Sequence, residues 1–188
     1  MNQTRLIGTV ASEFIYSHEA FNERFYQTYI RVDRKSDTSD LIPVLFSERM
    51  INTKDRCAGK CIAVEGQFRS RNDNGKVILY VFVANYEFLP EAEHYNDVFL
   101  EGYICKKPIN RKTPLGREIT DVILAVNRTC GRTDYIPCVV WGRNATYVKN
   151  LEVGDCVRFA GRVQSREYTK NEEVRTAYEL SVALVELC

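Results

Sequence analysis

A chain of 188 residues with a formal net charge of +1 fits one large domain or two small ones, and its balanced charge gives no overall basic field to announce a polyanion partner. No stretch is long and apolar enough to cross a membrane, and the opening Met1-Asn2-Gln3-Thr4-Arg5 has no signal-peptide core, so a cytoplasmic protein is expected. Seven cysteines without a secretory signal predict reduced thiols, and the wide separation of His18 and His94 predicts neither a metal site nor a cofactor.

The elements then come in the same order twice. Leu6-Ile7-Gly8-Thr9-Val10 opens the chain as a strand, and Leu100-Glu101-Gly102-Tyr103-Ile104 repeats it at an offset of 94. Ile30–Arg34 and Asp40–Val44 recur at the same offset as Leu124–Arg128 and Asp134–Cys138. Next comes a predicted short helix over Ser47–Arg56, with Ser47 as its N-cap. Its counterpart, Gly142–Leu151, carries Ala145, Val148 and Leu151 on one apolar stripe. Gly59–Arg71 matches Gly154–Arg166 at an offset of 95, sharing five of thirteen residues, where chance gives about one. Tyr80–Leu89 closes the first copy and Glu179–Leu187 the second. Offsets held across four blocks predict a duplication, with domains over 1–89 and 97–188 and a short charged, proline-containing linker over 90–96.

Alternation settles the fold class. In Tyr135–Trp141 the even positions Ile136, Cys138 and Val140 form an apolar face, matched in the first copy by Ile42, Val44 and Phe46. Tyr135, Pro137, Val139 and Trp141 lie on the other face. Five strands with a helix between the third and fourth is the OB-fold order, so the expectation is all-β, two tandem five-stranded OB-fold barrels. Gly66 and Gly161 fall inside the fourth strands, where such a barrel bends.

The second copy resembles the bacterial single-stranded-DNA-binding protein (SSB) family. The resemblance rests on Val98–Ile104, Pro108, Arg111, Thr113-Pro114-Leu115-Gly116, Ala125-Val126-Asn127-Arg128, Asp134–Gly142, Gly154-Asp155 and Gly161–Tyr168. The first copy is similar mainly at Leu6–Val10 and Gly59–Arg71. The resemblance implies sequence-tolerant binding of single-stranded DNA in replication, recombination or repair, with no catalysis. Tyr135, Trp141 and Tyr168 stand at the family's stacking positions, and Arg143 and Arg166 at its basic ones. Lys106, Lys107, Arg128 and Arg162 are neighbouring candidates, and in the first copy Arg34, Arg69 and Arg71. From parity alone, exposure of Tyr135 and Trp141 is no more favoured than burial, as barrel caps or subunit contacts. Tyr168 is placed in a loop beside Arg166 and Lys170. Arg158, Arg162 and Arg166 share one parity and form a basic stripe.

Departures from the family pattern shape further expectations. Leu41 and Ser47 replace Tyr135 and Trp141 in the first copy, which predicts weak DNA binding there or a role in assembly. No acidic tail follows the last strand, which points to a specialised, plasmid, phage or primosomal relative. Two chains of two barrels give the family's usual four OB-folds, so a homodimer associated with the nucleoid is expected. The rival functions are a protein-interaction module of a primosome-type assembly and single-stranded RNA binding. An enzyme is disfavoured, because no P-loop, nucleophile elbow or metal cluster is present in the sequence.

Overall fold

The computed structural model describes residues 1–170 and 172–188, with the side chain of Lys170 outside the description. The chain divides into two compact units. The first holds Gln3–Phe68 and Tyr80–Asn96; the second holds Met1–Asn2, Arg69–Leu79 and Asp97–Cys188.

Six strands build the first barrel: β1 (Asn2–Val10), β2 (Ile15–Ala20), β3 (Glu23–Asp33), β4 (Ser39–Ser47), β5 (Cys61–Asp73) and β6 (Lys76–Leu89). They run in the order β2-β3-β4-β6-β5-β1, and β1 returns to pair with β3, closing the ring. The second barrel repeats this with β7 (Tyr95–Ile104), β8 (Ile109–Lys112), β9 (Glu118–Asn127), β10 (Thr133–Trp141), β11 (Cys156–Lys170) and β12 (Glu173–Leu187). Its order is β8-β9-β10-β12-β11-β7, closed by β7 on β9. Each barrel therefore has the five expected strands plus one edge strand, β2 or β8. Closure leaves few exposed strand edges, which lets a small core hold a stable domain.

The cores follow the repeat. Ile42, Val44 and Phe46 are fully buried in the first barrel; Ile136, Cys138 and Val140 are buried in the second. Bulk moves between equivalent positions. The first barrel has Val64 and Phe68 on β5, whereas the second has Phe159 and Val163 on β11, all buried. Swaps that conserve volume in this way keep a core close-packed. Gly66 and Gly161 meet the same constraint. A Cβ at either would lie 2.1 Å from a backbone carbonyl, that of Phe82 or Ser181.

The two copies differ after the third barrel strand. In the second unit α1 (Gly142–Val148) forms, burying Ala145 and Val148, and Thr120 Oγ1 donates to the Ala145 carbonyl at 2.8 Å. In the first unit no helix forms over the expected Ser47–Arg56. There Asn52 Oδ1 accepts from the Lys54 amide, Asn52 Nδ2 donates to Asp55, and the Asp55 amide returns to the Asn52 carbonyl. Such local side-chain bonds compete with helix. Aromatic rings also occupy this region. Phe14 and Tyr86 each pack edge-on against Phe46 with centroids 5.3 Å apart, and Tyr86 OH donates to the Met50 carbonyl.

The thiol expectation also changes. Cys156 and Cys188 lie side by side at the ends of β11 and β12, Cα atoms 5.4 Å apart, and form a disulfide. Cys57, Cys61, Cys105, Cys130 and Cys138 remain free.

Candidate nucleic-acid interface

The outer wall of the second barrel brings together five of the twelve expected residues: Tyr135, Trp141, Arg162, Arg166 and Tyr168. Residues directly opposite one another in a ladder share a face. Trp141 on β10 lies opposite Ile119 on β9, which lies opposite Arg111 on β8. One pleat along, Val139 is flanked by Asp121 and Ser181, and Ser181 lies opposite Arg162 on β11. Tyr135 lies opposite Ala125, itself opposite Tyr103 on β7. On the β11–β12 arm Gln164, Arg166 and Tyr168 continue the face, opposite Glu179, Ala177 and Arg175.

The three aromatic residues are held differently. Tyr135 is 51% exposed, anchored by its backbone, whose amide donates to Ser70 Oγ at 2.9 Å. Trp141 is half-buried, and its indole Nε1 donates to Ser181 Oγ at 3.1 Å, fixing the ring over β12. Tyr168 is exposed on β11 itself, so it stands on a strand and not in the expected loop.

The cations separate into two groups. Arg143 on the first turn of α1 is exposed, as are Lys106 and Lys107 just after β7. Arg162 donates to Gln164, and Arg166 faces Glu179 at 3.7 Å. Arg158, at the base of the same stripe, is bound to Glu101 at 2.8 Å. That hydrogen bond raises the Arg158 pKa and lowers that of Glu101.

Arg128 is placed otherwise. It grips fully buried Asp134 through Nε at 2.7 Å and through Nη2, and Nη2 also reaches the Ser70 carbonyl at 3.0 Å. Asp134 in turn accepts from the Ser70 amide. Arg34 makes the same fork with buried Asp40 in the first unit, at 2.8 and 2.6 Å. Arg69 and Arg71 are half-buried on β5.

Glu179 is the unexpected group on this wall. Its carboxyl is nearly buried, and burial pushes its pKa up; Arg166 opposes this, Asp121 adds to it, and a Gln164 hydrogen bond opposes it. Asp121 is bound by Arg111 at 2.5 Å, a hydrogen bond that raises the Arg111 pKa. Tyr103 also extends the aromatic surface, 48% exposed. Its signal in the sequence was parity alone: it lies opposite the same Ala125 as Tyr135.

Both the sequence and the fold are matched by known proteins. The model of the single-strand binding protein family matches residues 95–188, half of the chain. The chain belongs to the single-strand binding protein family.

Its curated relatives align over somewhat less than half of the chain. This family member is 40% identical over 87 residues to Single-stranded DNA-binding protein 2 of Listeria monocytogenes, covering 43% of this chain and 54% of that protein. It is 38% identical over 87 residues to Single-stranded DNA-binding protein A of Bacillus subtilis, covering 43% of this chain and 51% of the relative. The chain thus spans about half the length of the curated relatives it matches. The fold likeness runs further. The crystal structure of wild-type single-stranded DNA binding protein from Thermus aquaticus superposes with a TM-score of 0.83 at 21% identity, covering 100% of this chain and 93% of that one. This extends the fold match to the divergent first copy.

Proposed function

We propose that this protein binds single-stranded DNA without sequence preference, in replication, recombination or repair, and catalyses no reaction. The observation that carries this is the outer wall of the second barrel, where Tyr135, Trp141 and Tyr168 lie among Arg143, Arg162 and Arg166. Every base has a π-face, so aromatic platforms hold a strand without reading it, and arginines neutralise its phosphates. Family membership and the names of its relatives support the same ligand.

Within this reading Arg143, Arg162, Arg166, Lys106 and Lys107 meet phosphates. Arg128 and Arg34 position the strand ends through Asp134 and Asp40. Arg69 and Arg71 extend the basic surface on β5. We also propose domains over 1–89 and 97–188 joined at 90–96, a homodimer with four OB-folds, and a cytoplasmic, nucleoid-associated location.

Titration with oligo-dT, oligo-rU and duplex DNA at two salt concentrations tests the reading. Tight, salt-sensitive binding of oligo-dT with little binding of duplex is expected. No binding of oligo-dT at low salt overturns it, and a clear preference for oligo-rU assigns the wall to RNA.

A further inference from the structure

The first copy lacks the Tyr135 and Trp141 equivalents, yet its outer wall is not bare of rings. In the second barrel one register row reads Arg111, Ile119, Trp141, with the indole reaching Ser181 on β12. The corresponding row of the first barrel reads His18, Phe25, Ser47. Phe82 on β6 occupies the place of Ser181, since it lies opposite Leu45 as Ser181 lies opposite Val139. The second barrel thus sets a large indole among smaller neighbours, whereas the first sets a small serine between two phenylalanines.

The rings form a contiguous group. His18 stacks on Phe25 with centroids 5.1 Å apart and planes 18° apart, and Phe25 meets Phe82 at 5.9 Å. All three are half-exposed, while Ser47 is buried, its Oγ donating to Glu23. Two cations share this face, one beside the group and one farther along β3. Arg49 follows Ser47 as Arg143 follows Trp141, 75% exposed and 3.8 Å from Glu23. Arg31, on the same face of β3 as Phe25, is 52% exposed and 3.7 Å from Asp33. The Arg31–Asp33 pair is exposed on both sides and therefore weak, and Arg49 is itself largely open to solvent, so a phosphate can take either arginine at little cost.

We propose that His18, Phe25 and Phe82 form a second base-stacking site for single-stranded nucleic acid on the first barrel, with Arg49 meeting an adjacent phosphate and Arg31, about 20 Å along β3, one farther along the strand. The aromatic platform has not been lost from the first copy; it has moved from β4 to the flanking strands β3 and β6. This rests on the function proposed for the second barrel and adds a site to it. Rings alone would equally suit a protein partner, but the two arginines on this face match a phosphate backbone, and base stacking requires only such half-exposed ring faces.

The test is a Phe25→Leu, Phe82→Leu double variant, which keeps apolar bulk and removes both rings. It is titrated with oligo-dT of about 12 and about 30 nucleotides, the first within and the second beyond the roughly 4–16 nucleotides an OB-fold covers. The expected result is an affinity for the longer oligomer reduced about fivefold or more, with that for the shorter one unchanged. Cross-linking of wild-type protein to bromodeoxyuridine-substituted oligomer should also label peptides carrying His18, Phe25 or Phe82, and this holds as a test if the variant does not fold. Equal affinity of folded variant and wild type for the longer oligomer overturns the second site alone. A changed oligomeric mass with unchanged DNA affinity assigns the face to self-association and overturns it too. Failure of wild type to bind either oligomer overturns the reading of the whole protein instead.

Discussion

Trp141 and Glu179 sit two pleats apart on the same wall and pull in different directions. The indole is held over β12 by Ser181, so it is already oriented before any strand arrives. Trp141→Ala should weaken oligo-dT binding by about 1–3 kcal/mol if it stacks on one base. Its repeat counterpart Ser47→Ala should leave affinity nearly unchanged, as a titration of both variants would show. Glu179 instead opposes the fold at neutral pH. Because burial raises its folded-state pKa, the protonated form is favoured in the native protein. Its contribution is then fully present at low pH and is lost as pH rises through the folded value. Glu179→Gln should therefore raise the thermal midpoint at neutral pH. The gain should shrink as pH falls toward the ordinary glutamate value, about 4.3. A gain independent of pH would contradict this assignment.

At the scale of elements, the paired forks Arg34–Asp40 and Arg128–Asp134 fasten the turn between the second and third barrel strands in both copies. Asp134 is wholly buried and serves Arg128 and the Ser70 amide together. Asp134→Ala leaves a largely buried guanidinium without its carboxylate, which should cost about 3–5 kcal/mol in urea denaturation. These forks also show where the sequence was legible and where it was not. The repeat and the alternation over Tyr135–Trp141 were enough to place ten barrel strands and the core residues, because burial enforces period two. They could not distinguish an arginine open on the outer wall from one that grips a buried aspartate six residues away, since both fit the same parity. The helix over Ser47–Arg56 failed for a related reason. Its pattern resembled the second copy, but Asn52 and Asp55 satisfy the backbone locally, and Phe14 and Tyr86 pack against Phe46 there. The Cys156–Cys188 bond and the edge strands β2 and β8 depend on tertiary placement that no local signal carries. The His18–Phe25–Phe82 group was hidden because it replaces Trp141 from neighbouring strands and not at its own position.

For the whole molecule, two closed barrels with one shared plan and two different outer walls define the account. Two chains would supply four OB-folds, and light scattering at micromolar concentration should report twice the 21.7 kDa chain mass. A monomer mass would contradict the dimer without touching the binding wall. That wall is tested most directly through Trp141, the single tryptophan. Oligo-dT added to the protein at low salt should quench its emission saturably. The midpoint should weaken steeply with added salt, by a log–log slope of about 0.7 per phosphate neutralised, and duplex DNA should quench little. Unchanged Trp141 emission in a saturated oligo-dT complex, or no complex at all, would contradict the claim that the Tyr135–Trp141 face grips single-stranded DNA.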